Sequence, residues 1–500
     1  MRRFAILIAV VLFLAPVTVL VQQPARPNVV YIMSDDLGYG DLGSYGATDI
    51  RTPNIDSIAR DGVRLTDAYS NGVLCSPTRA ALITGRYPQR YAVETALRTD
   101  GTYSLKVTGQ SLPQLMKNAG YATALIGKWH LGRLTGDAQV GGPRGHGFDY
   151  FFGFMGSHTD YWWHNRGPDV PDLWENETRI NRDGQYSTTI YTNAAVRFID
   201  QSAAAGRPFF MTVMYNAPHW PYNRPDRPSP APGSATHVLA QAERTATRDD
   251  YRTMVEAMDT GVGQILQALQ RAGVANDTLV IFTNDNGGEW LSDPGPLLDR
   301  KWTVYEGGIR VPALVRWPGR IPAGRVSGQP AITFDWSASI LAAVGITPPP
   351  DYDGINLIPM LAGQQPDAER TFFWRAVPGN RNQRAVRRGD WKLIVDTNHT
   401  KVFNVRQDPG ERRDLTNSRQ DIARQLCPLL TAWSQEVNAE QLANEPQETA
   451  RLQQLAGRGD APAAGAGRGG RQGGAGDGDN AGACGASAQP PSPPRSSRLP

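Results

Sequence analysis

Apolar and polar positions along the chain repeat one pattern. A short run rich in β-branched and aromatic residues breaks abruptly into a polar loop, and a stretch with apolar residues every three or four positions follows. NVVYIMS at 28–34 is the first such run and breaks into DDLGYGD. YATALIG at 121–127 breaks into KWHLG, PFFMTVMY at 208–215 into NAPHWPY, and DTLVIFT at 277–283 into NDNGG. Runs of this length bounded by turn formers predict buried strands. Between them SLPQLMKNAG reads as helix, and so does 248–273, where Met254, Met258, Val262, Ile265, Leu266 and Leu269 recur at helical spacing. Strands alternating with helices predict an α/β fold in which helices sandwich a large, mainly parallel, doubly wound sheet. Ligands of such sheets bind beyond the carboxyl ends of the strands, so the four loops are expected to open onto one crevice.

From about residue 370 the texture changes. RTFFWRAV, QRAVRRGDWKLIVD and TKVFNV, followed by a helical stretch near 418–440, predict a small antiparallel sheet with a helix on it. The expected organisation is a catalytic domain over 26–368, a small α+β subdomain over 369–455 and a Gly/Ala/Pro-rich tail over 456–500. That tail lacks the apolar side chains needed to offset ordering entropy and reads as disordered. At the other end, Arg2 and Arg3 precede an uncharged apolar run from Phe4 to Val21, the layout of an export signal. Residues 1–25 are therefore expected to be a signal peptide or, if uncleaved, a membrane anchor, with the protein exported to a periplasm or secreted.

Composition narrows the function classes. A formal charge of +3 on 500 residues gives no basic face for nucleic acid. With only Cys75, Cys427 and Cys484, a disulfide framework is excluded and one pair at most can form. Cys427, in the amphipathic stretch IARQLCPLLTAW, reads as a buried thiol.

The candidate chemistry lies in the loops. Adjacent residues in a strand point to opposite faces, so Asp35 and Asp36 reach one point only where a strand ends, which is where they stand. Asp285 and Asn286 hold the same position after another strand. Either motif alone is ordinary turn chemistry. Together, three carboxylates and an amide oxygen make a hard, oxygen-rich site for Ca²⁺ or Mg²⁺. Cys75 stands two residues before Pro77 at the start of a helical run that Gly85 closes. A helix N-terminus is expected to lower a thiol pKa and to welcome a sulfate or phosphate, with Arg79 one turn along the same face.

CSPTRAALITGR resembles the Cys-x-Pro-x-Arg and trailing Thr-Gly-Arg pattern of the formylglycine-dependent (type I) sulfatases, an alkaline-phosphatase-like superfamily. SDDLGYGD, GKWHLG, GFDYFFGF, NAPHWPY, NDNGG, KWTVYEGGIRVP, DGINLIPML and FNVRQDPGERRDL are similar to family landmarks, in the expected order over most of residues 28–415. The resemblance implies that a maturation enzyme oxidises Cys75 to formylglycine, whose hydrate supplies the nucleophile and whose second hydroxyl lets sulfate be expelled. It implies one Ca²⁺ held by Asp35, Asp36, Asp285 and Asn286, with an oxygen of the modified Cys75. Arg79 and Lys128 would stabilise the charged diol, and His130 would be the base that triggers sulfate release. His219 and Lys301 would grip the sulfate and assist the leaving oxygen.

His146 reads as packing support, and His158, His164, His237 and His399 carry no assigned role. The aromatic and polar stretch around Trp162 and Trp163 suits stacking on sugar rings, or else core packing, so a sulfated carbohydrate is the expected substrate. Two other functions fit the same residues less well. One is a phosphomonoester or phosphonate ester hydrolase on the same scaffold. The other is a non-catalytic glycan-binding protein, which has no physical need for nucleophile, base and metal-binding groups together.

Overall fold

The structure, a computed structural model, describes residues 26–99, 103–132, 142–167, 170–232, 245–377, 382–457 and 484. The readings made for the N-terminal segment, for the tail other than Cys484 and for His237 lie outside these residues.

The strands, in chain order, begin with β1 (Asn28–Ser34), β2 (Val63–Leu65), β3 (Ala68–Tyr69), β4 (Ala122–Lys128), β5 (Tyr150–Phe154), β6 (Trp174–Glu175), β7 (Thr178–Arg179) and β8 (Phe209–Met214). β9 (Thr278–Asn284), β10 (Ala313–Arg316), β11 (Arg325–Ser327) and β12 (Ala331–Ile332) complete the first part of the chain. The principal helices are α1 (Pro53–Arg60), α2 (Cys75–Thr84), α3 (Leu112–Asn118), α4 (Ser187–Ala204), α5 (Arg248–Arg271) and α6 (Thr333–Ala343). Among the described residues ten strands form one sheet in the order β11-β2-β10-β9-β1-β8-β4-β5-β6-β7. β1 pairs in parallel with β8 and β9, and β4 with β8 and β5, whereas β10 runs antiparallel to β9 and β6 to β5. The sheet is thus mixed and mainly parallel at its centre.

Strand alternation explains why helices cover both faces. Val30 and Ile32 of β1 enter one core with Ile55 and Ile58 of α1, Tyr191 of α4, and Met254, Met258 and Val262 of α5. Val29, Tyr31 and Met33 point the other way, into a core with Ala80 and Leu82 of α2, Met116 of α3 and Trp336 of α6. A strand buried on both sides has no polar alternation to show, which is the signature of a central parallel strand. α5 begins with a reciprocal cap: the Thr247 hydroxyl accepts from the Asp250 N–H while the Asp250 carboxylate accepts from the Thr247 N–H.

Register brings the loops together. Ser34 pairs with Asn284, Met33 with Met214, and Gly127 with Met214. The carboxyl ends of β1, β9, β8 and β4 therefore lie level along one sheet edge.

The C-terminal part forms an antiparallel sheet in the order β13 (Thr371–Ala376), β14 (Gln383–Arg388), β15 (Trp391–Asp396) and β16 (His399–Asn404), with α7 (Gln420–Asn444) against it. Cys427 of α7 is not the free buried thiol that its neighbours suggest. It forms a disulfide with Cys484, 57 residues away, the two Cα atoms standing 5.3 Å apart. Local amphipathicity shows that a position is buried and carries no information about a partner so far along the chain. No helix among the described residues is long and apolar enough to cross a membrane.

Candidate active site

β1 ends at Ser34, and Asp36 adopts a left-handed backbone (φ 64°), which turns both aspartates toward the same space. The Asp36 N–H donates to Asp285 Oδ1 at 3.3 Å, and Asn286 Nδ2 donates to Asp36 Oδ1 at 2.7 Å. Asn284, between the two loops, accepts from the Ser34 hydroxyl at 2.8 Å and donates to the Leu37 carbonyl at 2.9 Å. The two strand ends are thereby tied into one unit. Behind Asn286, a Cβ on Gly287 would meet the Gly307 carbonyl oxygen at 1.9 Å, so only glycine lets this loop pass.

α2 begins at Cys75 itself and closes on Gly85 in the left-handed conformation (φ 70°). The Cys75 thiol donates to Asp35 Oδ1 at 3.4 Å, and Lys128 Nζ lies 3.4 Å from Sγ and 2.5 Å from Asp35 Oδ2. Arg79 donates from Nη2 to Asp285 Oδ2 at 2.9 Å and from Nη1 to the Lys128 carbonyl at 3.0 Å. On the far side of Asp36, Lys301 Nζ stands 2.7 Å and His219 Nε2 3.4 Å from Oδ2. His219 Nδ1 bonds the Trp220 carbonyl at 2.6 Å, which fixes the ring with Nε2 toward Asp36. His130, also with a left-handed backbone (φ 55°), is buried and neither ring nitrogen has a hydrogen-bond partner.

Asp35, Asp36, Cys75, Asp285, Asn286, Arg79, Lys128, His130, His219 and Lys301, expected from sequence to meet at one crevice, are all buried at this end of the sheet. One expectation fails. The Cys75 thiol is not acidified by its helix terminus: burial pushes its pKa well above the ordinary value, and the charges of Asp285 and Asp35 add to the rise. A helix terminus carries only partial charge, whereas two carboxylates in a dry site carry whole ones.

The carboxylates differ in the same way. Burial would raise Asp35, but Lys128, Arg79 and Lys301 outweigh it and hold that carboxyl below its usual range. Burial pushes Asp36 up to about 8, with Asp35 raising it further against Lys301. Asp285 is also raised, by burial and then by Asp35. Burial and the neighbouring Lys128 charge push both His130 and His219 well below the ordinary histidine value. Asp36 and Asp285, which resist ionisation, together with Asp35 and a buried Asn286 Oδ1 that has no hydrogen-bond donor among the described residues, form an oxygen donor set that fits a hard divalent cation. Asp35, Asp36, Cys75 and His219 also offer ligand atoms within 4.8 Å of one another. Of these the Cys75 sulfur and the His219 imidazole are the poorer ligands, because a hard cation takes oxygen in preference to either.

The Sulfatase family profile matches residues 27–346. The chain belongs to the sulfatase family. It is accordingly a sulfuric ester hydrolase, and neither the phosphate-ester nor the non-catalytic reading is needed. A second profile, N-sulphoglucosamine sulphohydrolase, C-terminal, matches residues 296–436 of the sulfatase. N-acetylgalactosamine-6-sulfatase of Homo sapiens is 37% identical over 382 residues, covering 70% of this chain and 69% of that protein. Arylsulfatase G of Mus musculus is 32% identical, with 76% of each chain covered. Among solved structures, Ps i-CgsB in complex with k-i-k-neocarrahexaose superposes with a TM-score of 0.73 at 28% identity, over 86% of the sulfatase and 98% of that chain.

Two features of the sulfatase's site escape the sequence reading. His158 stacks on Trp220 with ring centroids 4.3 Å apart, and burial together with the Lys128 charge lowers its pKa to about 4. Glu289 lies 3.7 Å from Lys301 and accepts from the Trp302 indole at 3.1 Å. The first follows a strand end as the assigned residues do, and that position was its only signal. Trp162 and Trp163, by contrast, spend their indole N–H groups on the carbonyls of Arg224 and Ser229. Trp162 packs on the core beside Tyr186. His146 is buried against Trp129 with Nε2 at the Leu105 carbonyl, as packing support requires.

Proposed function

We propose that this enzyme removes sulfate from a sulfated carbohydrate, using a nucleophile made from Cys75. The observation that carries the reading is the placement of Cys75: buried at the start of α2, against Asp35 and Lys128, at the edge of a carboxylate and amide cluster. Burial and the charges of Asp285 and Asp35 push the thiol away from the nucleophilic thiolate, which favours reading the position as the raw material for formylglycine. The hydrated aldehyde would supply one hydroxyl to attack sulfur and a second whose deprotonation releases sulfate.

Asp35, Asp36, Asp285 and Asn286 would hold the divalent cation, calcium by resemblance, which supplies positive charge against the nucleophile and the sulfate. Lys128 and Arg79 keep a positive field around residue 75 through Asp35, Asp285 and the chain itself. His130, whose ring nitrogens have no hydrogen-bond partner among the described residues, would take the proton that releases sulfate. Lys301, on Asp36, offers N–H donors to the sulfate. His219, whose Nδ1–H is spent on the Trp220 carbonyl, would donate from Nε2 to the departing alkoxide as the imidazolium, a form the anionic ester would favour against burial and the Lys128 and Lys301 charges. The carbohydrate assignment is supported by relatives named N-acetylgalactosamine-6-sulfatase and by the carrageenan-oligosaccharide complex of the structural neighbour. Export and maturation by a formylglycine-generating enzyme are supported by the sequence of residues 1–25 and by the Cys-x-Pro-x-Arg pattern at 75–79.

The test is the mass of the tryptic peptide spanning Cys75 from active protein, alongside hydrolysis of sulfated galactosamine. The expected peptide is lighter than the thiol form by nearly the mass of one water, and Cys75→Ala is expected to abolish turnover. An unmodified thiol in fully active protein would falsify the reading.

A further inference from the structure

Two exposed tryptophans stand beside site residues in the chain and have no part in the chemistry above. Trp302 is 41% exposed and Trp290 47% exposed, among the few large apolar side chains left open to water. Both belong to the stretch that carries Asp285, Asn286 and Lys301. Trp290 meets Tyr222 edge-on at 6.2 Å, on the loop that bears His219. The Trp302 ring centroid lies 5.7 Å from Lys301 Nζ, which itself touches Asp36.

Trp302 is also held where it would not rest by itself. Its backbone is left-handed (φ 80°), an unfavourable state for a bulky residue that persists only when the surroundings impose it. Its N–H donates to the Val73 carbonyl at 3.1 Å, two residues before Cys75, and its indole N–H to Glu289 Oε1 at 3.1 Å. The indole is thus fixed at both ends, yet much of it faces solvent. A ring immobilised next to Lys301, a cation of the proposed sulfate site, can present a flat apolar surface to the group that carries the sulfate. Sugar rings match such a surface with their C–H face, while their hydroxyls remain available to polar neighbours such as Glu289.

We propose that Trp302, with Trp290 beside it, is the platform on which the sugar bearing the scissile sulfate stacks, and that Glu289 fixes the angle of the indole. The proposal rests on the sulfated-carbohydrate reading above and places its recognition surface away from Trp162 and Trp163.

Steady-state kinetics on a sulfated monosaccharide, with inorganic sulfate as inhibitor, test it. Trp302→Ala is expected to raise KM for the sugar sulfate about tenfold, the loss of one stacking surface. Trp302→Phe, which keeps an aromatic face, is expected to recover most of that loss, and Trp290→Ala to give a smaller rise. Inhibition by inorganic sulfate, which has no ring to stack, should stay within about twofold throughout. If it weakens in step with KM, Trp302 serves only to hold Lys301 and the platform is wrong. Where Trp302→Ala fails to fold, Trp302→Leu, apolar but without an aromatic face, takes its place, and a KM unchanged in Trp302→Leu and Trp290→Ala overturns the proposal. A parent protein that cleaves aryl sulfates but no sugar sulfate overturns the substrate reading and the platform with it. A parent that cleaves sugar sulfates with all three variants unaffected overturns the platform alone.

Discussion

Lys128 has no water to solvate it: its side chain is fully buried, with Asp35 Oδ2 at 2.5 Å and Cys75 Sγ at 3.4 Å. A basic group fixed there would stabilise negative charge as it develops on the nucleophile, since a preorganised group need not reorient during the reaction. Lys128→Met removes that basic group with little change of volume. It is expected to lower kcat by about 10²–10³, the range seen when one such stabilising group is lost. Initial rates on a sulfate ester, with a melting curve to show that the fold persists, provide the check; a kcat within threefold of the parent would count against the assignment.

Elements meet through charge as well as through apolar packing. The short helix Glu306–Ile309 follows Lys301, and Glu306 is buried against Tyr69, Arg310 and Lys392. Lys392, on β15 and fully buried, also pairs with Glu411 at 2.9 Å, and the Glu411 carboxylate accepts from the Glu306 N–H at 2.6 Å. One lysine thus joins two carboxylates between the large sheet's loops and the small sheet. Lys392→Met takes from Glu411 its cation and leaves Glu306 with Arg310 and Tyr69, and denaturant melts are expected to show a loss of about 3–5 kcal/mol. The carboxylates divide the charge unequally. Burial works against Glu306, but Lys392 and Arg310 bring it to about 2; burial and the Glu306 charge push Glu411 up to about 7 against Lys392. Folded protein therefore keeps a proton on Glu411 that unfolded chain, at its ordinary 4.5, has already lost. The associated stability is present below pH 4.5 and is lost as pH rises through about 7. Glu411→Gln, which retains the amide acceptor for Glu306, is expected to flatten the change in Tm across that window. An unchanged slope would place the titration elsewhere.

At the scale of the whole molecule, the site's three carboxylates and one amide oxygen come from two strand ends, and α2 and β4 bring Cys75 and Lys128 to them. A divalent cation bound there would tie the β1 and β9 loops together and offset the burial, and the repulsion from Asp35, that raise Asp36 and Asp285. Its binding free energy then adds to folding stability. Treatment with a chelator is expected to lower Tm by several degrees and to abolish turnover, with calcium restoring both. Full activity after exhaustive chelation would remove the metal from the reading.

The central strands and their polar exits were legible from sequence because each is a local pattern. An apolar run must be buried, and its abrupt end at Asp35 or Asp285 marks where the chain leaves the sheet. Asp35, Asp36, Asp285 and Asn286 were legible as strand-end groups for the same reason, whereas the roles expected of Arg79, Lys128, His130, His219 and Lys301 came from the resemblance of their segments to the sulfatases. What remained hidden depends on groups far apart in the chain. The bridge from Cys427 to Cys484, the raised thiol of Cys75 between two carboxylates, and the exposed indole of Trp302 held by Val73 and Glu289 are of this kind. Hydrophobic burial acts on every residue according to its own chemistry, so the sequence by itself determined the α/β layering and the kinds of group that meet at the sheet edge. Distances, dielectric surroundings and partnerships exist only after the chain has folded, so tertiary structure alone decided which of those groups ionise, which pair, and which still face water.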